Sequence, residues 1–306
     1  MHRRLPLSIP ALGLVLALGV LTGCSSKPTR PAAPSGPTTP LPAAPLPPSA
    51  HTDAATLAEL DRVLAGAHRS EANRARDAYR HPRQTLEFFG LRSDQTVMEV
   101  WPGPGGWYTE VLAPLLRDHG HYIAAHWDPN SNQPGVKDGV AAFRTKLDAN
   151  PDLYDRVTLA AFQYPGAMSP VAPGSVDLIV TFRNLHNWLA RDPAATAMLR
   201  AMFTALKPGG VLGVEDHRAD PTAPVDPKAP TGYVNEAYAI ELVRSVGFEY
   251  AGASEINANP RDTRDYEQGV WTLPPTWRLG DKDRARYAAI GESDRFTLRF
   301  VKPRAP

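Results

Sequence analysis

Between Val97 and Thr109 the chain reads Val-Met-Glu-Val-Trp-Pro-Gly-Pro-Gly-Gly-Trp-Tyr-Thr, a short apolar strand that ends in a glycine-rich turn and opens a helix. From Thr109 that helix carries Val111, Leu112, Leu115 and Leu116 on one face. A strand that ends in glycines and starts a helix gathers bare backbone N–H groups at one point, where a nucleotide-like ligand can approach closely. Glu99, at the strand end, is placed to accept hydrogen bonds from the turn or from a ligand. The same residues also make a tight strand-to-helix turn with no ligand, so the motif alone does not separate scaffold from binding site.

The segments around it alternate. Thr52–Ala65 has Leu57, Leu60, Val63 and Leu64 at helical spacing, and Arg69–Arg80 is a polar helical stretch that must stop at His81-Pro82, because proline restricts the residue before it. Arg83–Phe89 resumes as a helix capped by Gly90. Strands are expected at Thr96–Val100, His121–Ala125, Val157–Ala161, Val176–Phe182 and Val211–Glu215. A helix over Ala194–Leu206 ends at Lys207-Pro208-Gly209-Gly210, and another over Asn235–Val246 ends at Gly247. Two closing strands, near Phe248–Glu255 and Arg295–Val301, complete the pattern as an antiparallel edge. Apolar strands alternating with helices predict an α/β fold, a mostly parallel sheet with helices on both faces, preceded by a helical prelude.

The glycine turn, the strand Val176–Phe182 and Leu206-Lys207-Pro208-Gly209-Gly210 together resemble the class I S-adenosylmethionine-dependent methyltransferases, over roughly Leu86 to Lys302. Their cofactor loop reads acid-x-Gly-x-Gly-x-Gly; here Trp101 stands at the first glycine, and Gly103 and Gly105 hold the next two. Arg76-Asp77-Ala78-Tyr79-Arg80-His81-Pro82 with the Trp-Pro-Gly-Pro-Gly-Gly-Trp-Tyr-Thr loop is similar to a group of secreted bacterial predicted methyltransferases. The resemblance implies a Rossmann-like sheet and S-adenosylmethionine held by Glu99, Gly103, Gly105 and Gly106, with Tyr108 and Thr109 opening the helix. An acid at the end of the second strand is expected on the ribose; that place falls near His126, with Asp128 two residues later, where it also suits a turn. After the third strand Gln163 is the candidate for adenine, with Phe162 packing on it.

Polar residues gather after the fourth and fifth strands, in Arg183-Asn184-Leu185-His186-Asn187-Trp188 and Glu215-Asp216-His217-Arg218. Both places lie beyond the carboxyl ends of strands, where open α/β sheets bind ligands. Methyl transfer needs an aligned nucleophile and a base for its proton, so Asn184, His186, Asp216 and His217 form the candidate catalytic set. Tyr79, Arg80 and His81 of the prelude, with Arg183, are candidates for an anionic part of the substrate, whereas Arg76 reads better as a solvated helix face. Tyr266–Trp277 has the composition of a loop that faces a substrate or is pinned to the surface by its two tryptophans.

The chain also carries an address. His2-Arg3-Arg4, an apolar run from Leu5 to Val20 and Leu21-Thr22-Gly23-Cys24 have the form of a secretory signal that is too short to span a bilayer. The ending resembles the bacterial lipobox, which implies lipidation of Cys24, the single cysteine, and Ser25 after it implies the outer membrane. Residues 1–23 are thus expected to be removed, 24–50 to form a lipidated, proline-rich, disordered tether, and 51–306 to form the domain, held in the periplasm. With 33 basic and 32 acidic side chains the chain lacks the charge footprint of a nucleic-acid binder.

The expectation is a lipoprotein that transfers a methyl group to a small acceptor. Two alternatives stay open. A repurposed fold would act as an envelope binding module, favoured by Trp101 and by the scarcity of methyl donor outside the cytoplasm. A metal-dependent hydrolase would use His126, Asp128, His186, Asp216 and His217, although no compact metal-binding spacing is present and the main expectation assigns no metal.

Overall fold

A computed structural model describes residues 43–46 and 51–304; the signal, Cys24 and most of the tether lie outside the described residues. Seven strands form one sheet: β1 Thr96–Val100, β2 His121–His126, β3 Thr158–Ala161, β4 Val176–Phe182, β5 Leu206–His217, β6 Glu249–Ser254 and β7 Arg295–Val301. Their spatial order is β3-β2-β1-β4-β5-β7-β6. Strands β1 to β5 pair in parallel, and β7 runs antiparallel to both β5 and β6. This is the mostly parallel sheet with an antiparallel edge that the sequence predicts. Successive strands lie to opposite sides of the β1–β4 boundary, so connections diverge there and leave a crevice at the carboxyl ends.

Side-chain alternation along β1 shows how both faces are buried. Met98 and Val100 join a core with Ile179, Leu199 and Phe296, whereas Val97 joins the opposite core with Leu112, Phe143 and Leu178. Before β1 come α1 Ala54–Leu64, α2 Glu71–Arg74, α3 Asp77–Arg80 and α4 Pro82–Phe88. The other helices are α5 Thr109–Leu116, α6 Val136–Asp148, α7 Pro151–Tyr154, α8 Leu185–Leu189, α9 Ala194–Ala205, α10 Glu236–Arg244 and α11 Arg284–Ile290. The prelude belongs to the core: Phe89 lies on Gly213 of β5 so closely that a Cβ there would come within 2.6 Å of the ring.

Three departures from the sequence reading matter for the rim. The helix expected over Arg69–Arg80 is two short turns, because tertiary partners claim its groups: Trp107 donates to the Asn73 carbonyl at 3.1 Å, and Arg69 grips Asp77 at 2.6 and 2.7 Å. Strand β5 continues to His217 because β7 pairs with it up to His217↔Arg295, so Asp216 and His217 sit on a strand rather than in a loop. The segment before β7, residues 255–294, forms a cap in which Tyr266, Val270, Leu273 and Tyr287 cluster with Tyr233, which precedes α10. Of the expected tether, residues 43–46 lie against β6, where Ala44 donates to the Tyr250 carbonyl and Leu46 packs on the core. An edge strand offers unpaired backbone groups to any neighbouring chain.

Candidate functional site

At the end of β1 the backbone keeps the shape of a glycine turn without its first glycine. Trp101 has φ 53°, a left-handed conformation that costs a non-glycine residue about 1–3 kcal/mol. Its indole reaches past β2 and donates to the Phe162 carbonyl beyond β3 at 2.6 Å. It meets Trp127 and Trp188 edge to face, with ring centroids 6.0 and 5.7 Å away. Beyond it the loop is clear: a Cβ at Gly103 or Gly105 would meet nothing within 4 Å, whereas one at Gly106 would strike Phe143 at 2.8 Å. Gly103 and Gly105 therefore face open space, and Gly106 serves close packing.

Around this loop several expected cofactor contacts are committed elsewhere. Glu99 is buried and accepts from Tyr122 and, at 3.4 Å, from Thr109, which is itself buried. Burial raises the Glu99 carboxyl to about 7, against the pull of those hydrogen bonds and of Arg183 and Arg80. Gln163 accepts from the Asp128 backbone at 3.0 Å and donates to Ser131 at 3.2 Å, which ties the loops after β2 and β3 together. Asp128 Oδ1 accepts from the Asn130 backbone at 2.8 Å, as a turn former does. His126 occupies the last position of β2, fully buried. Its Nδ1 accepts from the Trp127 backbone at 2.7 Å, its Nε2 has no partner, and burial lowers it to about 4.

The β4–β5 end is organised differently. His186 lies in α8 and is 6% exposed; its Nδ1 is 2.9 Å from Asp216 Oδ1. Asp216, fully buried, also accepts from the His186 backbone at 3.0 Å and the His217 backbone at 2.7 Å. The carboxylate already accepts two backbone N–H groups, and the His186 tautomer with its proton on Nδ1 completes the set and leaves the Nε2 lone pair as a base. Asn184 donates to the Val100 carbonyl at 2.8 Å and to Thr181 at 3.2 Å, fixing the β1 and β4 ends to each other. His217 contacts Ser293 of the cap through Nδ1, and burial together with His186, Arg183, Arg295 and Arg80 lowers its proton affinity strongly. Trp271 of the cap stands 6.1 Å from the His186 ring, edge on.

The prelude residues divide. Arg80 is 2% exposed, stacks over Trp107 at 4.6 Å and enters a buried cluster with Arg183, Glu215, Glu292 and Arg295. Tyr79 contributes its carbonyl to Arg295, and His81, with φ 41°, donates to Asn257 at 3.3 Å away from the catalytic pair. Tyr108 faces this cluster rather than the glycine loop: it stacks on Phe182 at 3.6 Å, and its hydroxyl is buried without a partner. Glu215 and Arg295 were not singled out from the sequence as site residues. Their only signal was position, one at a strand end and one at a strand start, and the β5–β7 pairing that joins them is not local.

One donor atom from each of His186, Asp216 and His217 lies within 4.8 Å of the others, close enough to consider a cation. Three N–H groups already occupy the Asp216 carboxylate, and Ser293 occupies His217 Nδ1. Neighbouring Arg80, Arg183 and Arg295 add positive charge. With those lone pairs in use and positive charge beside them, the cluster is poorly suited to a divalent ion.

No family model matches the chain, and no curated protein matches it in sequence. Among solved structures, it is similar to a SAM-dependent methyltransferase from Aquifex aeolicus at 14% identity, covering 80% of this chain and 98% of that one with a TM-score of 0.50. It is likewise similar to the [4+2]-cyclase SpnF at 19% identity, covering 86% and 99% with a TM-score of 0.50. The chain therefore has the fold of the class I S-adenosylmethionine-dependent methyltransferases.

Proposed function

We propose that this chain is a lipid-anchored envelope methyltransferase that binds S-adenosylmethionine over Gly103 and Gly105 and methylates a small acceptor activated by His186. The observation that carries the reading is the buried His186–Asp216 pair at the ends of β4 and β5, beside an open glycine loop at the end of β1. The loop fits the donor because nothing stands over Gly103 or Gly105. Asp128, in the loop after β2, is the carboxylate assigned to the ribose, and the indoles of Trp101 and Trp127 offer faces on which a purine can stack. When bound, the donor supplies an electrophilic methyl carbon whose bond to sulfur breaks with the electron pair left on sulfur.

The chain's own work is alignment and proton removal. His186 Nε2 takes the acceptor's proton as its lone pair engages the methyl carbon, and Asp216 stabilises the imidazolium until the proton passes to solvent. Asn184 holds the β1 and β4 ends in register, so the two halves of the site keep their spacing. Trp271 of the cap stands edge on beside the base. The apolar run Leu5–Val20 and the Leu21–Cys24 ending support export and anchoring at the outer membrane.

One observation favours a second reading, a binding module without methyl transfer: Trp101 and the neutral His126 replace the glycine and the acid expected at the donor end. SpnF is a cyclase, so this fold serves chemistry other than methyl transfer.

Calorimetric titration of the full chain in detergent with S-adenosylhomocysteine tests the main reading. Micromolar binding is expected, and Gly105→Arg, whose side chain projects into open space, should abolish it while the protein stays folded. No binding by a folded wild-type chain would contradict the proposal.

A further inference from the structure

Strand β6 ends the sheet, with β7 on one side and no named strand on the other. Edge strands escape pairing with other chains through charges, prolines, short length or a segment that covers them. After Glu249, β6 reads Tyr250-Ala251-Gly252-Ala253-Ser254, with no charge and no proline. Its own protection is limited to a register shift between Tyr250 and Gly252.

Residues 43–46 of the same chain lie on that edge. The Ala44 N–H donates to the Tyr250 carbonyl at 2.7 Å, and Leu46 packs on the core that contains Ala251 and Val301. Ala44 and Leu46 are half-buried, whereas Ala43 and Pro45 are exposed. That alternation is the one a strand shows when laid along a sheet. Backbone and side-chain contacts therefore agree on one register, with positions 44 and 46 turned to the domain.

The sequence of the segment suits it to closing an edge instead of moving it outward. A docked strand ordinarily presents a fresh row of N–H groups on its far side. With the Ala44 N–H turned to β6, the next outward position is Pro45, which has no N–H to offer. Proline also disfavours the helical region for the residue before it, so Ala44 is biased toward the extended backbone that the edge requires.

We propose that the β6 edge is a strand-docking site whose occupant is this chain's own residues 43–46, and that this strap keeps the edge from pairing with a second copy of the protein. The folded unit then begins at Ala43, ahead of the boundary at residue 51 expected from sequence. Strand β7 stands between this edge and β5, so the strap neither uses nor requires the proposed methyl-transfer chemistry.

The test combines amide hydrogen exchange with sedimentation equilibrium on the full chain in density-matched detergent. In wild type the Ala44 amide should exchange roughly tenfold or more slowly than in a free peptide of the same sequence, and the protein should sediment as a monomer. Leu46→Asp sets a charge against the core and should return the Ala44 amide to the free-peptide rate. That variant and Ala44→Pro, which removes the donated N–H, should each form dimers as concentration rises. Ala43→Pro changes an exposed position and should leave the monomer intact. Exchange of the wild-type Ala44 amide at the free-peptide rate overturns the docking, whatever the variants do. A protected Ala44 with variants that stay monomeric overturns the guarding role. A wild-type dimer with Ala44 protected would place the segment on a second copy's β6 and overturn the assignment within one chain.

Discussion

At the β1–β3 end of the rim aromatic side chains dominate, with Trp101 packed edge to face on Trp127 and on Trp188 of α8, beside the buried His126. At the β4–β5 end the side chains are ionic, with the His186–Asp216 pair set against the Arg80, Arg183, Glu215 and Arg295 cluster. The first end is held by dispersion and shape, which tolerates a ligand with a flat ring. The second is held by charged partners that must be present in the right number. One sheet thus offers a stacking surface and a charged, base-bearing surface on either side of the β1–β4 boundary.

The largest expected effect separates the two ends by function. Asp216→Asn should lower the methyl-transfer rate by roughly 10²–10⁴ while leaving S-adenosylhomocysteine affinity unchanged, as read by single-turnover kinetics with labelled donor. Equal losses of rate and of donor affinity would show that the ends are not independent. Next in size, Glu215→Ala removes a partner of the buried Arg295 and should cost about 3–5 kcal/mol in a denaturant titration. A cost under about 1 kcal/mol would show that the ionic end does not depend on paired charge.

The ends should also diverge with pH. Burial raises Glu99 to about 7 in the folded protein, so its stabilising contribution is complete below its unfolded value and is lost as pH rises through about 7. His126 is lowered to about 4, so its contribution is complete above the unfolded histidine range and is lost as pH falls through about 4. Glu99→Gln should flatten the fall of stability as pH rises from the ordinary carboxyl range to about 7, measured by denaturant midpoints from pH 5 to 9, by on the order of 1–3 kcal/mol. His126→Gln should remove the acid-side fall by a similar or smaller amount. A curve unchanged by either variant would place the titrating groups elsewhere.

Much of the sheet was legible because its signals are local. The central strands β1 and β4 are near-continuous apolar runs bounded by turn residues, and the observed spans match those read from sequence. The break in the prelude was not legible, since it depends on Trp107, far along the chain, reaching the Asn73 carbonyl and on Arg69 folding back onto Asp77. Helix α6 escaped because its apolar positions, Val136, Val140, Phe143 and Leu147, are spread among charged ones. In the site, His186 was readable at one strand end and Asp216 with His217 at the next; the 2.9 Å contact that selects Asp216 joins residues thirty positions apart. Gln163 and Tyr108 were named for the cofactor; the first is held by Asp128 and Ser131, and the second points to the arginines. Spacing gives a residue's element but not the direction of its side chain.

Trp101 is where the two readings of the donor end part most sharply, because its indole is either a wall for the purine or a plug in its place. Titrating S-adenosylhomocysteine into wild type and Trp101→Gly decides between them. The account predicts micromolar binding to wild type and weaker binding to the variant, which loses a stacking face. No binding to wild type with binding restored in Trp101→Gly would contradict it, and would leave the charged β4–β5 end serving a ligand of its own.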